Sequence, residues 1–218
     1  MAKSNLEKRK PKNEPRINLT LNPEQKEVKR LFYEYDVNFV LGDAGSGKTL
    51  VSTAIALTAY RKREYEKIII TRPIVKNALG FLPGEVEAKM KPWTFPIIHN
   101  FNMCQASSTT DKMLENKDIE ILPIDFAKGI TYVNSVVIID EFQDMNYEDF
   151  RIMLTRLGKD SKIIFCGSKE QVHYSMQKNS CLSKVLTLKD SGLVGFSELK
   201  SNHRNDALVD ILKYLENR

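Results

Sequence analysis

Eight consecutive residues, Gly42-Asp43-Ala44-Gly45-Ser46-Gly47-Lys48-Thr49, spell G-x-x-x-x-G-K-T, a spacing suited to holding a row of phosphates. Backbone N–H groups converge on an anion only where no Cβ stands in the way, which is the reason for Gly42, Gly45 and Gly47. Lys48 is then within reach of β- and γ-phosphates, and the Thr49 hydroxyl is suited to hold Mg²⁺. A helix opening at Gly47 adds the positive end of its dipole at the same spot. All eight residues are therefore expected to contact a nucleoside triphosphate.

A second group of chemically able residues closes an apolar run, Val136-Val137-Ile138-Ile139-Asp140-Glu141. Two acids at the C-terminal end of a buried strand face the crevice where open α/β sheets bind their ligands. Asp140 is expected to support the metal together with Thr49, and Glu141 to act as general base toward an attacking water. A third run, Lys162-Ile163-Ile164-Phe165-Cys166-Gly167, leads to Gln171, whose carboxamide both donates and accepts and is suited to sensing a γ-phosphate.

These residues need a frame, and the chain supplies alternating strand-like and helix-like runs. Strands are expected at 37–41, 67–71, 119–122, 135–140, 162–166 and 194–199. Helices are expected to start at Asn22-Pro23 and to cover 47–62, 147–157, 180–189 and 206–216, with an irregular Pro-rich stretch after the second strand. Such alternation, with strands apolar on both faces, predicts an α/β fold with a mostly parallel central sheet between helical layers. Tyr147, Phe150, Met153, Leu154 and Leu157 form a helical stripe that reads as core. Trp93 reads as packing under the Pro-rich connection.

Composition narrows the function classes. At 218 residues and 42% hydrophobic content, the chain is long enough for one well-buried domain and too short for two nucleotide-binding domains. Of the net charge of +5, residues 1–16 carry +4, through Lys3, Lys8, Arg9, Lys10, Lys12 and Arg16 against Glu7 and Glu14. That segment reads as a disordered basic tail, and 17–218 as a single domain. No apolar run has the length of a membrane span, and the first residues lead into charge, so a cytoplasmic protein is expected. Cys104, Cys166 and Cys181 are odd in number and widely spaced, and His99, His173 and His203 lack ligand spacing, so no zinc site is expected.

With these motifs in hand, the sequence resembles the PhoH-like proteins, compact P-loop ATPases similar to the first RecA-like half of superfamily 1 helicases. The likeness runs from about residue 20 to 216. It rests on the phosphate loop, Thr71-Arg72-Pro73, Leu79-Gly80-Phe81-Leu82-Pro83-Gly84, Asp140-Glu141-Phe142-Gln143-Asp144 and Leu154-Thr155-Arg156-Leu157-Gly158.

The resemblance implies a three-layer RecA-like P-loop fold, with ATP and Mg²⁺ as ligands and assembly into a homohexamer. It implies that Gln25, in Leu21-Asn22-Pro23-Glu24-Gln25, grips the adenine edge, and that Arg204, in Ser201-Asn202-His203-Arg204, is an arginine finger. It also implies contact with RNA or single-stranded nucleic acid through Thr71 and Arg72, and through Lys128 and Thr131 of the Asp125–Thr131 segment. One departure stands out: the family pattern Gly-Asp-x-x-Gln reads here Gly167-Ser168-Lys169-Glu170-Gln171. The two functions that fit are an ATPase acting on nucleic acid, helicase-like as a ring, and an ATP-dependent nucleic-acid-binding scaffold with little turnover. A small-molecule kinase would need an Arg-rich lid that the sequence does not display.

Overall fold

β-branched and aromatic residues fill the middles of four of the six strands, which can be buried on both faces only if helices cover the sheet on either side. The structure, a computed structural model, describes residues 19–73, 86–173, 176 and 178–201, with 86–92 described by backbone alone. In it β1 (Val37–Gly42), β2 (Lys67–Arg72), β3 (Ile119–Pro123), β4 (Ser135–Ile139), β5 (Lys162–Gly167) and β6 (Gly195–Leu199) form one sheet of order β3-β2-β4-β5-β1-β6. Every neighbouring pair is parallel. The expected strands are present to within a residue or two.

Alternation along the strands divides the core in two. Val40, Ile70, Val136, Ile138 and Ile164 face one side, packing with Phe32 of α1 (Pro23–Glu34), Ile55 of α2 (Lys48–Arg61), Phe101 of α3 (Val86–Cys104) and Met113 of α4 (Ser107–Glu115). Phe39, Leu41, Val137, Ile139 and Phe165 face the other, against Ile124 of α5 (Ile124–Ala127), Phe150 and Met153 of α6 (Tyr147–Thr155) and Val185 of α7 (Leu182–Leu186). This is the expected three-layer α/β architecture. Full burial of a Phe or Ile contributes roughly 1.5–3 kcal/mol relative to exposure, so these two layers dominate the stability.

Three details differ from expectation. The Pro-rich stretch is not irregular throughout: 86–104 is helical despite Pro92 and Pro96. Inward positions recur every three or four residues at Trp93, Ile97, Phe101 and Cys104, and their packing against the sheet layer outweighs the hydrogen bond a mid-helix proline removes. Trp93 packs there, partly buried, as expected. Tyr147 is exposed rather than core, because it sits in the first turn of α6, where the Lys184 ammonium lies 3.6 Å from its ring centre. The helix expected at 180–189 is confined to Leu182–Leu186. The basic tail, the Leu79–Gly84 motif, Arg204 and the helix expected at 206–216 lie outside the described residues.

The strand order positions the site. β5 lies between β1 and β4, so Gly167 and the residues after it emerge between the phosphate loop and the Asp140-Glu141 pair. All of these segments leave the same C-terminal edge of the sheet.

Candidate functional site

The phosphate loop joins β1 to α2 in a tight turn that requires its glycines. A Cβ on Gly42 would stand 2.6 Å from both the Leu199 carbonyl oxygen and the Ser46 hydroxyl. Gly45 and Gly47 have φ of 86° and 82°, a region that side chains disfavour. The Ser46 N–H and hydroxyl both donate to the Asp43 carbonyl, at 3.2 and 2.9 Å, closing the turn. Lys48 is buried and donates to the Gly42 and Asp43 carbonyls at 2.7 and 2.9 Å, so its ammonium is held across the mouth of the loop. An anion in the loop would meet a cation already in position, and the loop fits a triphosphate.

Thr49 donates to Asp140 Oδ1 at 2.6 Å, joining the start of α2 to the end of β4. Asp140 is buried, and burial together with the neighbouring Glu141 charge holds its carboxyl above the usual carboxylate range; the Thr49 hydrogen bond and the Arg72 and Lys48 charges oppose this. A buried carboxylate short of positive charge, paired with a hydroxyl, is a donor set that fits Mg²⁺. The Asp140 N–H donates to the Thr71 carbonyl at 2.9 Å, which ties the ends of β2 and β4 together.

Glu141 sits in the left-handed region at φ 52° and ψ 41°. For a non-glycine residue this costs on the order of 1–3 kcal/mol, so surrounding contacts must hold it. The holder is Gln143, which is 1% exposed. Its Nε2 donates to Glu141 Oε2 at 2.7 Å and, more weakly, to the Gln171 carbonyl at 3.4 Å, while its Oε1 accepts from the Ser168 N–H at 3.1 Å. Gly167 makes room for it, since a Cβ there would lie 2.6 Å from Gln143 Oε1. Nothing in the sequence alone assigns Gln143 a role. The signal was present, as a carboxamide two residues after an acid pair, but only the β4–β5 adjacency reveals what it holds. At the position of the absent carboxylate, Ser168 contributes its main chain to Gln143, and its hydroxyl accepts from Glu170 N at 3.2 Å.

The remaining expected site residues are distributed unevenly. Arg72, at the end of β2, lies 3.9 Å from Glu141 Oε1, so it borders the acid pair. The Thr71 hydroxyl is fully buried with no partner among the described residues, so it is not on a surface that a strand could touch. Lys128 is held between Asp125 and Asp149, each at 2.8 Å, while its carbonyl accepts from Arg156 Nε at 2.7 Å; Thr131 is exposed. Gln171 is exposed at the site's rim. Gln25 forms a capping box with Asn22, each side chain accepting from the other's backbone N–H at 2.9 and 3.1 Å. Its Oε1 is thereby engaged at the start of α1. Next to it, Glu24 accepts from Lys200 N, Ser201 N and the Ser201 hydroxyl at 3.0, 3.1 and 3.0 Å, fixing the chain as it leaves β6.

Comparison with known proteins adds to this geometry. A family model described as PhoH-like protein matches residues 19–216. A PhoH-like protein of Synechocystis sp. is 33% identical over 178 residues, covering 80% of this chain and 54% of the relative. One of Bacillus subtilis is 34% identical over 150 residues, covering 68% and 47%, and Protein PhoH of Escherichia coli is 34% identical over 152 residues, covering 68% and 43%. The chain thus spans about half the length of the curated relatives it matches. Among solved structures, the Sulfolobus solfataricus SWI2/SNF2 ATPase core in complex with dsDNA aligns over 90% of this chain and 48% of its own, at 15% identity and a TM-score of 0.49. The Pif1 helicase of Candida albicans aligns over 90% and 44%, at 15% identity and a TM-score of 0.43.

Proposed function

This chain belongs to the PhoH-like family, and on that premise we propose that it binds ATP with Mg²⁺ and hydrolyses it while acting on RNA or single-stranded nucleic acid in the cytoplasm, helicase-like as a homohexameric ring. The observation that carries the reading is the convergence of Lys48, Thr49, Asp140 and Glu141 at one sheet edge.

Lys48 exchanges its two carbonyl partners for the β- and γ-phosphates, and the loop N–H groups receive the remaining phosphate oxygens. Thr49 and Asp140 would hold Mg²⁺, which would supply charge neutralisation to the triphosphate. Glu141 accepts a proton from the water that attacks the γ-phosphorus, the bond to the β–γ bridging oxygen breaks, and ADP and phosphate leave. Gln25 reads the adenine edge, Gln171 orients groups around the γ-phosphate, and Arg204 supplies transition-state charge.

On the nucleic-acid side, Arg72 and Pro123 are partners across the β2–β3 register, and Phe126, three residues on, is 71% exposed. A cation and an open aromatic face at neighbouring strand ends suit a backbone phosphate and a stacked base. Lys128 and Thr131 flank that route, Lys128 only if a phosphate displaces one of its two aspartates. The occupied state of Glu141, with donors facing both oxygens, favours a second reading, a nucleic-acid-binding scaffold that turns over little. Steady-state phosphate release across single- and double-stranded RNA and DNA separates the two. Stimulation by single strands supports the ATPase, and ATP binding without turnover on any nucleic acid supports the scaffold.

A further inference from the structure

The Arg72–Glu141 contact lies where strand recognition and hydrolysis would meet. Glu141 Oε2 accepts from Gln143 at 2.7 Å and Oε1 faces the Arg72 guanidinium at 3.9 Å, so each oxygen has a positively polarised partner beside it. Releasing one of the two would leave that oxygen free to turn toward an attacking water. Gln143 is the costly one to move, being buried and also bound to Ser168 N. Arg72 is the cheap one: the two side chains are 32% and 30% exposed, open enough for a competing anion and too open for a strong ion pair. Its backbone stays level with the acid pair because β2 is hydrogen-bonded to β3 and β4 on either side and Asp140 N binds the Thr71 carbonyl.

We infer that Arg72 is a latch on Glu141, and that a backbone phosphate of a single strand releases the base by taking the guanidinium in its place. The inference rests on the ATPase reading above and adds the regulation of that site. A phosphodiester is the competitor of matching chemistry, since guanidinium pairs with phosphate oxygens through parallel N–H donors. The latch would keep ATP from being consumed until a strand is present. Coupling of this kind is reciprocal: whatever loosens Glu141 from Arg72 also strengthens strand binding.

Two measurements test it. Without nucleotide, binding of a fluorescent single-stranded RNA should be several-fold tighter to Glu141→Gln than to wild type, because the competing carboxylate charge is gone. The gain should vanish when Glu141→Gln is added to Arg72→Gln. Equal gains in both backgrounds, or no gain in either, would overturn the latch. At saturating ATP without RNA, Arg72→Gln should raise kcat several-fold with KM for ATP unchanged, and saturating RNA should add little. A lower or unchanged basal kcat with stimulation intact would make Arg72 a simple strand contact. If wild type and Arg72→Gln both bind ATP and neither hydrolyses it with any strand, the ATPase reading itself has failed, an outcome that loss of the latch alone does not produce.

Discussion

Lys48 and Gln143 represent two kinds of functional residue, one legible in the chain and one not. Lys48 is announced by its motif, and its position across the loop leads to a direct expectation: Lys48→Ala should abolish measurable ATP affinity by calorimetry while leaving the fold intact. Affinity like that of wild type in the folded variant would remove Lys48 from the site. Gln143 lies within the Asp140–Asp144 motif, yet its type and place there do not say what it holds. Its role appears only when β4 and β5 lie side by side, so that one buried carboxamide can hold Glu141, Ser168 N and the Gln171 carbonyl. Gln143→Ala would orphan the Ser168 N–H, a cost of roughly 1–3 kcal/mol, and free Glu141 from its strained backbone position. ATP affinity should survive within a few-fold while strand-stimulated turnover falls by about tenfold or more, by the size of an acid–base contribution. Loss of ATP affinity in step with turnover would assign Gln143 to nucleotide binding instead.

At the scale of elements, legibility followed burial. Strands buried on both faces show as solid apolar runs, and their bounds are legible in the sequence to within a residue or two. α3 was hidden because Pro92 and Pro96 interrupt a segment whose inward positions, Trp93, Ile97 and Phe101, become decisive only against the sheet layer. The partnership of α1 with the end of β6 was likewise invisible, since Glu24 and Ser201 stand far apart in the chain. Glu24 is now seen to be held below the usual carboxylate range, chiefly by the Ser201 N–H, with the Ser201 hydroxyl and Lys200 N–H adding to it against some burial. A lowered folded-state value means that the carboxylate's contribution is present above the unfolded glutamate pKa, about 4.3, and is lost as pH falls through the folded one. Glu24→Gln should therefore lower Tm at pH 7, with the gap from wild type closing below about pH 4. A gap independent of pH would show that the charge contributes nothing to the link. Phe126, at the neighbouring pair of strand ends, gives a second element-scale expectation: Phe126→Ala should weaken single-strand RNA binding by about 1–3 kcal/mol if a base stacks there. Unchanged affinity would move the strand's path off α5.

The whole molecule raises the question of completeness. One parallel sheet provides the phosphate loop, the acid pair and its holder, yet the cation expected to stabilise the transition state is Arg204, outside the described residues. β6 is an edge strand among the described residues, and Ser201 is pinned to α1 by Glu24. Arg204 follows three residues later in the chain, outside the described residues. An arginine finger can be supplied by a neighbouring subunit. An arginine finger supplies about 10³–10⁵ in rate, so Arg204→Ala and Glu141→Gln should each abolish turnover alone. Mixed in one ring, the two variants create junctions at which an intact Glu141 meets a neighbour's intact Arg204, and part of the activity should return in proportion to those junctions. Native mass measurement on the same samples establishes whether mixed rings have formed. Mixed rings that stay inactive would make the finger act within its own subunit or remove Arg204 from that role, and full activity in a monomer would exclude the ring.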